Sequence, residues 1–167
     1  ISADKKEGIK YIKMAADKGD VNSMHNYACM LINGNGITLN YKEALIYFKM
    51  AVDKGFSDSM VSYGEMHING RGVRIDKKKG SKYIKKEDDL GNVEGQFSYG
   101  LALFRGDGVP ENKKEAAKYF KIAAEKDHLK AMLMIGTMLL KGDGIQKNIE
   151  EGIRYIRTSA ENGFDDA

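Results

Sequence analysis

Two glycines separated by one residue recur in this chain at an unchanging interval. Gly34-Asn35-Gly36, Gly70-Arg71-Gly72, Gly106-Asp107-Gly108 and Gly142-Asp143-Gly144 each begin 36 residues after the one before. A period of this length marks a repeat architecture, in which each unit buries its apolar faces only by stacking on its neighbours. Aligned on the glycines, the 167 residues form one solenoid domain: the second half of a truncated unit (1–20), four full units (21–56, 57–92, 93–128, 129–164) and a stub (165–167). A chain that starts and stops inside a repeat, without an initiator methionine, is expected to be a segment of a longer array or a chain whose outer units are missing.

Every unit divides into two helical halves. The first, as in Val93 to Phe104, places apolar or small residues at 3.6-type spacing and stops at the double glycine, where a left-handed residue closes the helix. The second opens on a capping side chain (Asp4, Asn40, Asp76, Asn112, Asn148). Three residues later stand Glu7, Glu43, Glu115 and Glu151, with Lys79 the exception, which predicts reciprocal capping boxes. Second helices carry Tyr11-Ile12, Tyr47-Phe48, Tyr83-Ile84, Tyr119-Phe120 and Tyr155-Ile156, followed by small pairs, Ala15-Ala16, Ala51-Val52, Ala123-Ala124 and Ser159-Ala160. First helices repeat Tyr27, Tyr63, Tyr99 and Ile135 beside Ala28, Gly64, Gly100 and Gly136. Large against small is a packing pattern, so the tyrosines are read as core. The fold class is therefore all-α, with helices expected near 5–18, 23–33, 41–54, 59–69, 77–90, 95–105, 113–126, 131–141 and 149–162.

Composition narrows the function classes. Hydrophobic residues make up 42% of the chain, enough for a continuous core, and no apolar run approaches the ~18 residues of a membrane span. Net charge is +3 from 27 basic and 24 acidic residues, too balanced for the whole chain to be a nucleic-acid binder, so any anion site must be local. The single cysteine, Cys29, cannot form an internal disulfide, and no N-glycosylation sequon occurs. Both fit a reducing compartment, cytoplasmic or nuclear.

A helix pair with a small residue, then aromatic-Gly, Gly-x-Gly-Val, Asp/Asn-x-x-Glu-Ala, Tyr-Phe and Ala-Ala resembles the Sel-1-like repeat, a relative of the tetratricopeptide repeat, over all but the three-residue stub. The resemblance implies a right-handed superhelix of antiparallel helix pairs, used as an adaptor that holds other proteins together, with no catalytic residue and no cofactor. A secreted, cysteine-paired branch is linked to β-lactam binding. Its cysteine pairs are absent here, and Ser2-Ala3-Asp4-Lys5 straddles a helix start, so a hydrolase stands third among the readings.

Several motifs reduce to structure. The Gly-x-Gly steps follow helices rather than strands and lack the residues of a phosphate loop. His25 and Cys29, at i and i+4, supply two ligands where zinc needs four. His67 takes the offset of Leu31, Leu103 and Leu139 and is expected in the core with one nitrogen satisfied. Glu150-Glu151 falls in a first turn, where it favours the helix dipole. Two surfaces remain. The leading one is the inner, concave face of the first helices, at offsets 5, 9 and 12: His25, Cys29, Ile32; Val61, Glu65, Ile68; Phe97, Leu101, Phe104; Leu133, Thr137, Leu140. The expected partner-binding strip runs from Val61 to Leu140, with Phe97 and Phe104 as anchors and Glu65, Arg105 and Lys141 setting polarity, and it would hold a peptide or helix of a partner protein. The runner-up is the basic stretch Arg71, Arg74, Lys77, Lys78, Lys79 and Lys82, continuing to Lys85 and Lys86, which would engage nucleic acid, acidic lipid or an acidic protein. Membrane and nucleic-acid partners are disfavoured, and unpartnered end faces make end-to-end self-association an expectation.

One unit departs from its pattern. Glu87-Asp88 stands where the others carry the small pair. Buried unpaired carboxylates are costly, so the chain is expected to fray near 86–90 or to turn these acids outward toward Lys85 and Lys86, letting the array flex there.

Overall fold

The computed structural model describes residues 3–89 and 91–163. Among them the regular structure consists of helices: α1 (Ala3–Asp17), α2 (Val21–Asn33), α3 (Tyr41–Asp53), α4 (Asp58–Asn69), α5 (Lys77–Asp89), α6 (Val93–Arg105), α7 (Lys113–Ala124), α8 (Leu129–Lys141) and α9 (Ile149–Glu161). This is the all-α solenoid class that the glycine period requires. The side chain of Asp4, and all of Leu90, Phe164 and the stub, lie outside the described residues.

The glycine step works as a repeated hinge of fixed geometry. Gly34 adopts φ 65° and its N–H closes on Met30 O, ending α2. The chain then runs to Asn40, whose own N–H donates to Leu31 O at 3.0 Å. Asp76 to His67, Asn112 to Leu103 and Asn148 to Leu139 repeat that bond at 2.9, 2.8 and 3.0 Å. This alters the expected capping box. Asn40, Asn112 and Asn148 do accept from the N–H of Glu43, Glu115 and Glu151, and Asp76 accepts from Lys79 N. The return arm cannot reach a cap N–H already spent on the preceding helix, so the Asn side-chain amide donates to the Glu carboxylate instead, at 3.1 Å in each case.

First helices α2, α6 and α8 start two residues before the predicted positions, because their caps lie further upstream. Asp20 accepts from Ser23 N at 2.7 Å, Asn92 from Glu94 N at 2.8 Å, and the His128 ring from Ala131 N at 3.1 Å. A histidine is an uncommon cap, which hid this start from the sequence.

The chain divides into two compact units, with the boundary between Tyr83 and Ile84 inside α5. Unit 1 packs Met24, Tyr27, Tyr47, Phe48, Met60 and Tyr63 into its core, with Phe48 fully buried. Unit 2 does the same with Phe97, Phe120, Ile135, Met138 and Leu139. Burying each such side chain contributes about 1.5–3 kcal/mol, the term that holds helices of this length in place. Helix pairs approach closely where both partners are small: a Cβ on Gly136 would lie 2.9 Å from Gly152 O, and one on Gly152 equally close to Gly136 O.

At Glu87-Asp88 the expectation of fraying or outward rotation is overturned. α5 remains helical through Asp89, Glu87 is fully buried and Asp88 is buried. Space is made by the facing helix: a Cβ on Gly95 of α6 would come within 2.7 Å of Glu87 Cγ and 2.8 Å of Asp88 N. The charge of Asp88 is met by Lys85, whose Nζ lies 2.6 Å from Asp88 and 2.9 Å from the exposed Asp89. Only the pairing toward Lys85 follows the sequence expectation, and it takes place with Asp88 buried.

Candidate partner-binding site

The strip expected on the first helices is divided by burial. Val61 and Phe97 are core residues: Phe97 is only 7% exposed, its ring 5.8 Å from Phe120 and 4.5 Å from His128. Neither can serve as an exposed anchor, a correction that follows from the second-helix aromatic and the capping histidine both reaching offset 5. Offset 12 is half-buried in each unit, because it seats on a small residue of its own unit's second helix, Ile68 against Gly80 and Leu140 against Gly152. Phe104 lies 6.3 Å from Phe120, with Lys113 Nζ 5.4 Å above its ring. Solvent therefore reaches Ile68 and Glu65 in unit 1. In unit 2 it reaches Leu101, Phe104, Leu133, Thr137 and Leu140, with Arg105 and Lys141 exposed beside them. Thr137 spends its hydroxyl on Leu133 O at 2.8 Å, so it presents mainly its methyl.

A feature absent from the expected site recurs through the second helices. Lys13, Lys49, Lys85, Lys121 and Arg157 share one offset. Lys13 Nζ sits 5.0 Å from the rings of both Tyr27 and Tyr47, donates to the Tyr47 hydroxyl at 2.6 Å and to Glu43 at 3.3 Å. Those tyrosines meet edge to face at 4.9 Å. Lys85 repeats the arrangement over Tyr99 and Tyr119, at 4.9 and 5.7 Å. These two tyrosine pairs thus hold a lysine of the preceding unit on their ring faces. The hydrogen bond to Tyr47, aided by both phenols and Glu43, holds Lys13 above the ordinary lysine range despite burial. At Lys85, burial pulls downward, and the bonds to Asp88, Asp89 and Tyr119 outweigh it. The glutamate of the capping box doubles as the lysine's partner, as Lys121 and Glu151 show at 3.7 Å. Where Lys79 replaces that glutamate, Lys49 pairs with Asp53 on its own helix. The 36-residue recurrence of the lysines was the available signal.

The basic stretch is solvent-facing in unit 1. Arg71, Arg74, Lys77, Lys78 and Lys82 are exposed, while Lys79 is half-buried with its Nζ 5.5 Å from the Tyr63 ring. His25 bridges Ser59 Oγ at 2.9 Å and Cys29 Sγ at 3.5 Å, and burial lowers its pKa and raises that of Cys29. Among the described residues no group of three or more His, Cys, Asp or Glu side chains is arranged to hold a metal. His67 is in the core as expected, against Tyr63 at 4.8 Å, but neither ring nitrogen has a hydrogen-bond partner among the described residues. Burial, with Lys79 nearby, lowers its pKa.

The repeat geometry has a counterpart among known proteins: a family model for the Sel1 repeat matches residues 1–20, 21–56, 57–86, 93–128 and 129–164. The chain belongs to the Sel1 repeat family. The match to 57–86 stops one residue short of Glu87, while the three other full units match end to end. Three solved structures share the fold. A Sel1 repeat protein from Oxalobacter formigenes aligns with TM-score 0.85 at 22% identity, over 93% of this chain and 62% of its own. A protective antigen of uropathogenic Escherichia coli displaying an SLR fold aligns with TM-score 0.81 at 24% identity, over 93% of this chain and 33% of its own. Helicobacter pylori cysteine-rich protein B aligns with TM-score 0.57 at 24% identity, over 77% of this chain and 92% of its own. This chain therefore spans less than two thirds of the first two proteins. A search of curated proteins returned no significant match. Sel1 repeat proteins are in general non-catalytic helical scaffolds that mediate protein–protein interactions.

Proposed function

We propose that this Sel1 repeat chain is a non-catalytic adaptor that holds a peptide or helix of a partner protein against its first helices. The observation that carries the reading is in unit 2: Leu101, Phe104, Leu133 and Leu140 remain partly open to solvent beside the exposed cations Arg105 and Lys141. Apolar side chains flanked by charge suit a segment with apolar anchors and acidic flanks. Unit 1, taken by itself, leaves Ile68 half-buried and Glu65 exposed at the matching offsets of its own first helix. Site-specific photo-crosslinkers at Leu101 and at the exposed Lys18, in the turn that follows α1 rather than on a first helix, provide the test in cells. Discrete partner adducts from position 101 that vanish with Arg105→Glu and Lys141→Glu support the assignment, and equal labelling from Lys18 overturns it.

The second reading places an acidic partner on the exposed Arg71, Arg74, Lys77, Lys78 and Lys82. For DNA, each neutralised phosphate contributes about −0.9 to the log–log salt slope. A salt-insensitive complex would exclude this reading.

A further inference from the structure

On the outer side of unit 2 the Gly142–Gly144 turn lies against the first turn of α7, and between them opens a recess of about 430 Å³. Its floor is apolar, from Ala117 and Ile145, and its rim is Lys114, Lys118, Lys121 and Gln146. Among the described residues no carboxylate lines it. The acid of the turn, Asp143, is engaged by Lys113 Nζ at 3.1 Å, and Lys121 is drawn toward Glu151 at 3.7 Å. Lys114 and Lys118 are exposed and have no ion-pair partner among the described residues. Spaced i and i+4, they stand about one helical turn apart on the same face of α7.

From this charge imbalance we infer that the recess is a second docking site, distinct from the first-helix surface, for an acidic segment of a partner protein that lays carboxylates on Lys114 and Lys118 and an apolar side chain on Ala117 and Ile145. Two free ammonium groups above an apolar floor demand a ligand that is both anionic and apolar. A protein segment fits this better than a membrane, because lipid-reading polybasic clusters carry about four to eight cations. The chain contains its own comparison: at the matching offset of α3 stand Lys42 and Ile46, so that surface has only half of the cation pair, and Ile46 is exposed there.

The test uses an acetylated peptide of alternating leucine and glutamate, its leucine–glutamine counterpart, and vesicles of phosphatidylcholine with phosphatidylserine. Amide NMR shifts read the site. The glutamate peptide should move the amides of residues 114–121 and 142–146 saturably and bind about tenfold tighter than the glutamine peptide, and K114E/K118E should erase that preference. Lys42→Glu, outside the recess, should leave it intact. Circular dichroism confirms that the exposed substitutions keep the fold. Equal binding of the two peptides, no shift at these amides, a preference that survives K114E/K118E, or vesicle binding through these lysines without peptide binding would each overturn the inference.

Discussion

The C-terminal turns of α5 and α7 occupy the same offsets of successive units and solve one packing problem with opposite materials. α7 buries Ala123 and Ala124, while α5 buries Glu87 and Asp88. Opposite the alanines α8 offers Ala131, also fully buried, and opposite the acids α6 offers Gly95. The difference teaches that the repeat fixes which offsets are buried, not which residue fills them. A larger side chain on one helix is met by a smaller one across the contact, and an added charge by a lysine that the repeat already holds in place.

Adding the missing methyl group is the largest way to break this arrangement. Gly95→Ala should cost about 1–3 kcal/mol in urea unfolding, because its Cβ meets Glu87 Cγ and backbone atoms of α5 within 3 Å. The reverse change in the alanine pair, Ala131→Gly, should cost only about 0.5–1 kcal/mol. Equal penalties would show that the two contacts do not differ.

Lysine truncation sharpens the electrostatic half. Lys85→Met leaves the buried Asp88 carboxylate without its 2.6 Å partner and should cost about 1–2 kcal/mol. Lys121→Met removes only a longer pair, 3.7 Å, that leaves no buried carboxylate behind, and should fall below about 1 kcal/mol. A double-mutant cycle of Lys85→Met with Asp88→Asn reads the same coupling directly.

The sequence made the fold legible because the signals that set it are local and repeated. Glycine steps, Asn/Asp caps and tyrosine offsets occur in three to five copies, and they recur in the helices found except in α1, which begins at Ala3 ahead of the expected cap Asp4 and leaves Tyr11, read as core, 60% exposed. The end of α5 is not legible in the sequence because its compensation lies eight residues away on another helix: Glu87 alone reads as a cost, and only packing against Gly95 makes the room it needs. Phe97 is hidden for a related reason, since helical angle alone places offset 5 on the open side and its neighbour His128 stands at the far end of the same unit. The lysine ladder passed unnoticed because lysine on a helix surface looks like solvation, and only the tyrosine faces beneath reveal its place.

Histidine supplies a smaller contrast between the units. His67→Leu restores the residue found at this offset in the other three units and removes two buried nitrogens without partners, so it should stabilise by about 1 kcal/mol near neutral pH. Burial holds the folded His67 pKa below the ordinary value of about 6.5. The unfolded chain therefore takes up the proton first, and stability present above that value is lost as pH falls below it. The gain from His67→Leu should grow on acidification, and a pH-independent gain would contradict this. The smallest effect is expected in unit 2, where the hydrogen bond from His128 to Glu94 at 3.1 Å holds the carboxyl below its usual range. Its contribution is present above the unfolded carboxylate pKa of about 4.3 and is lost as pH falls through the lower folded value. Glu94→Gln should flatten that acid limb slightly.

The central claim is that Glu87 and Gly95 are matched in size across α5 and α6, and a stability cycle over Glu87→Ala, Gly95→Ala and the double variant tests it most directly. Removing Glu87 Cγ from the contact should relieve part of the Gly95→Ala penalty, giving a favourable coupling of about 1 kcal/mol or more; penalties that simply add to within about 0.5 kcal/mol would contradict the match.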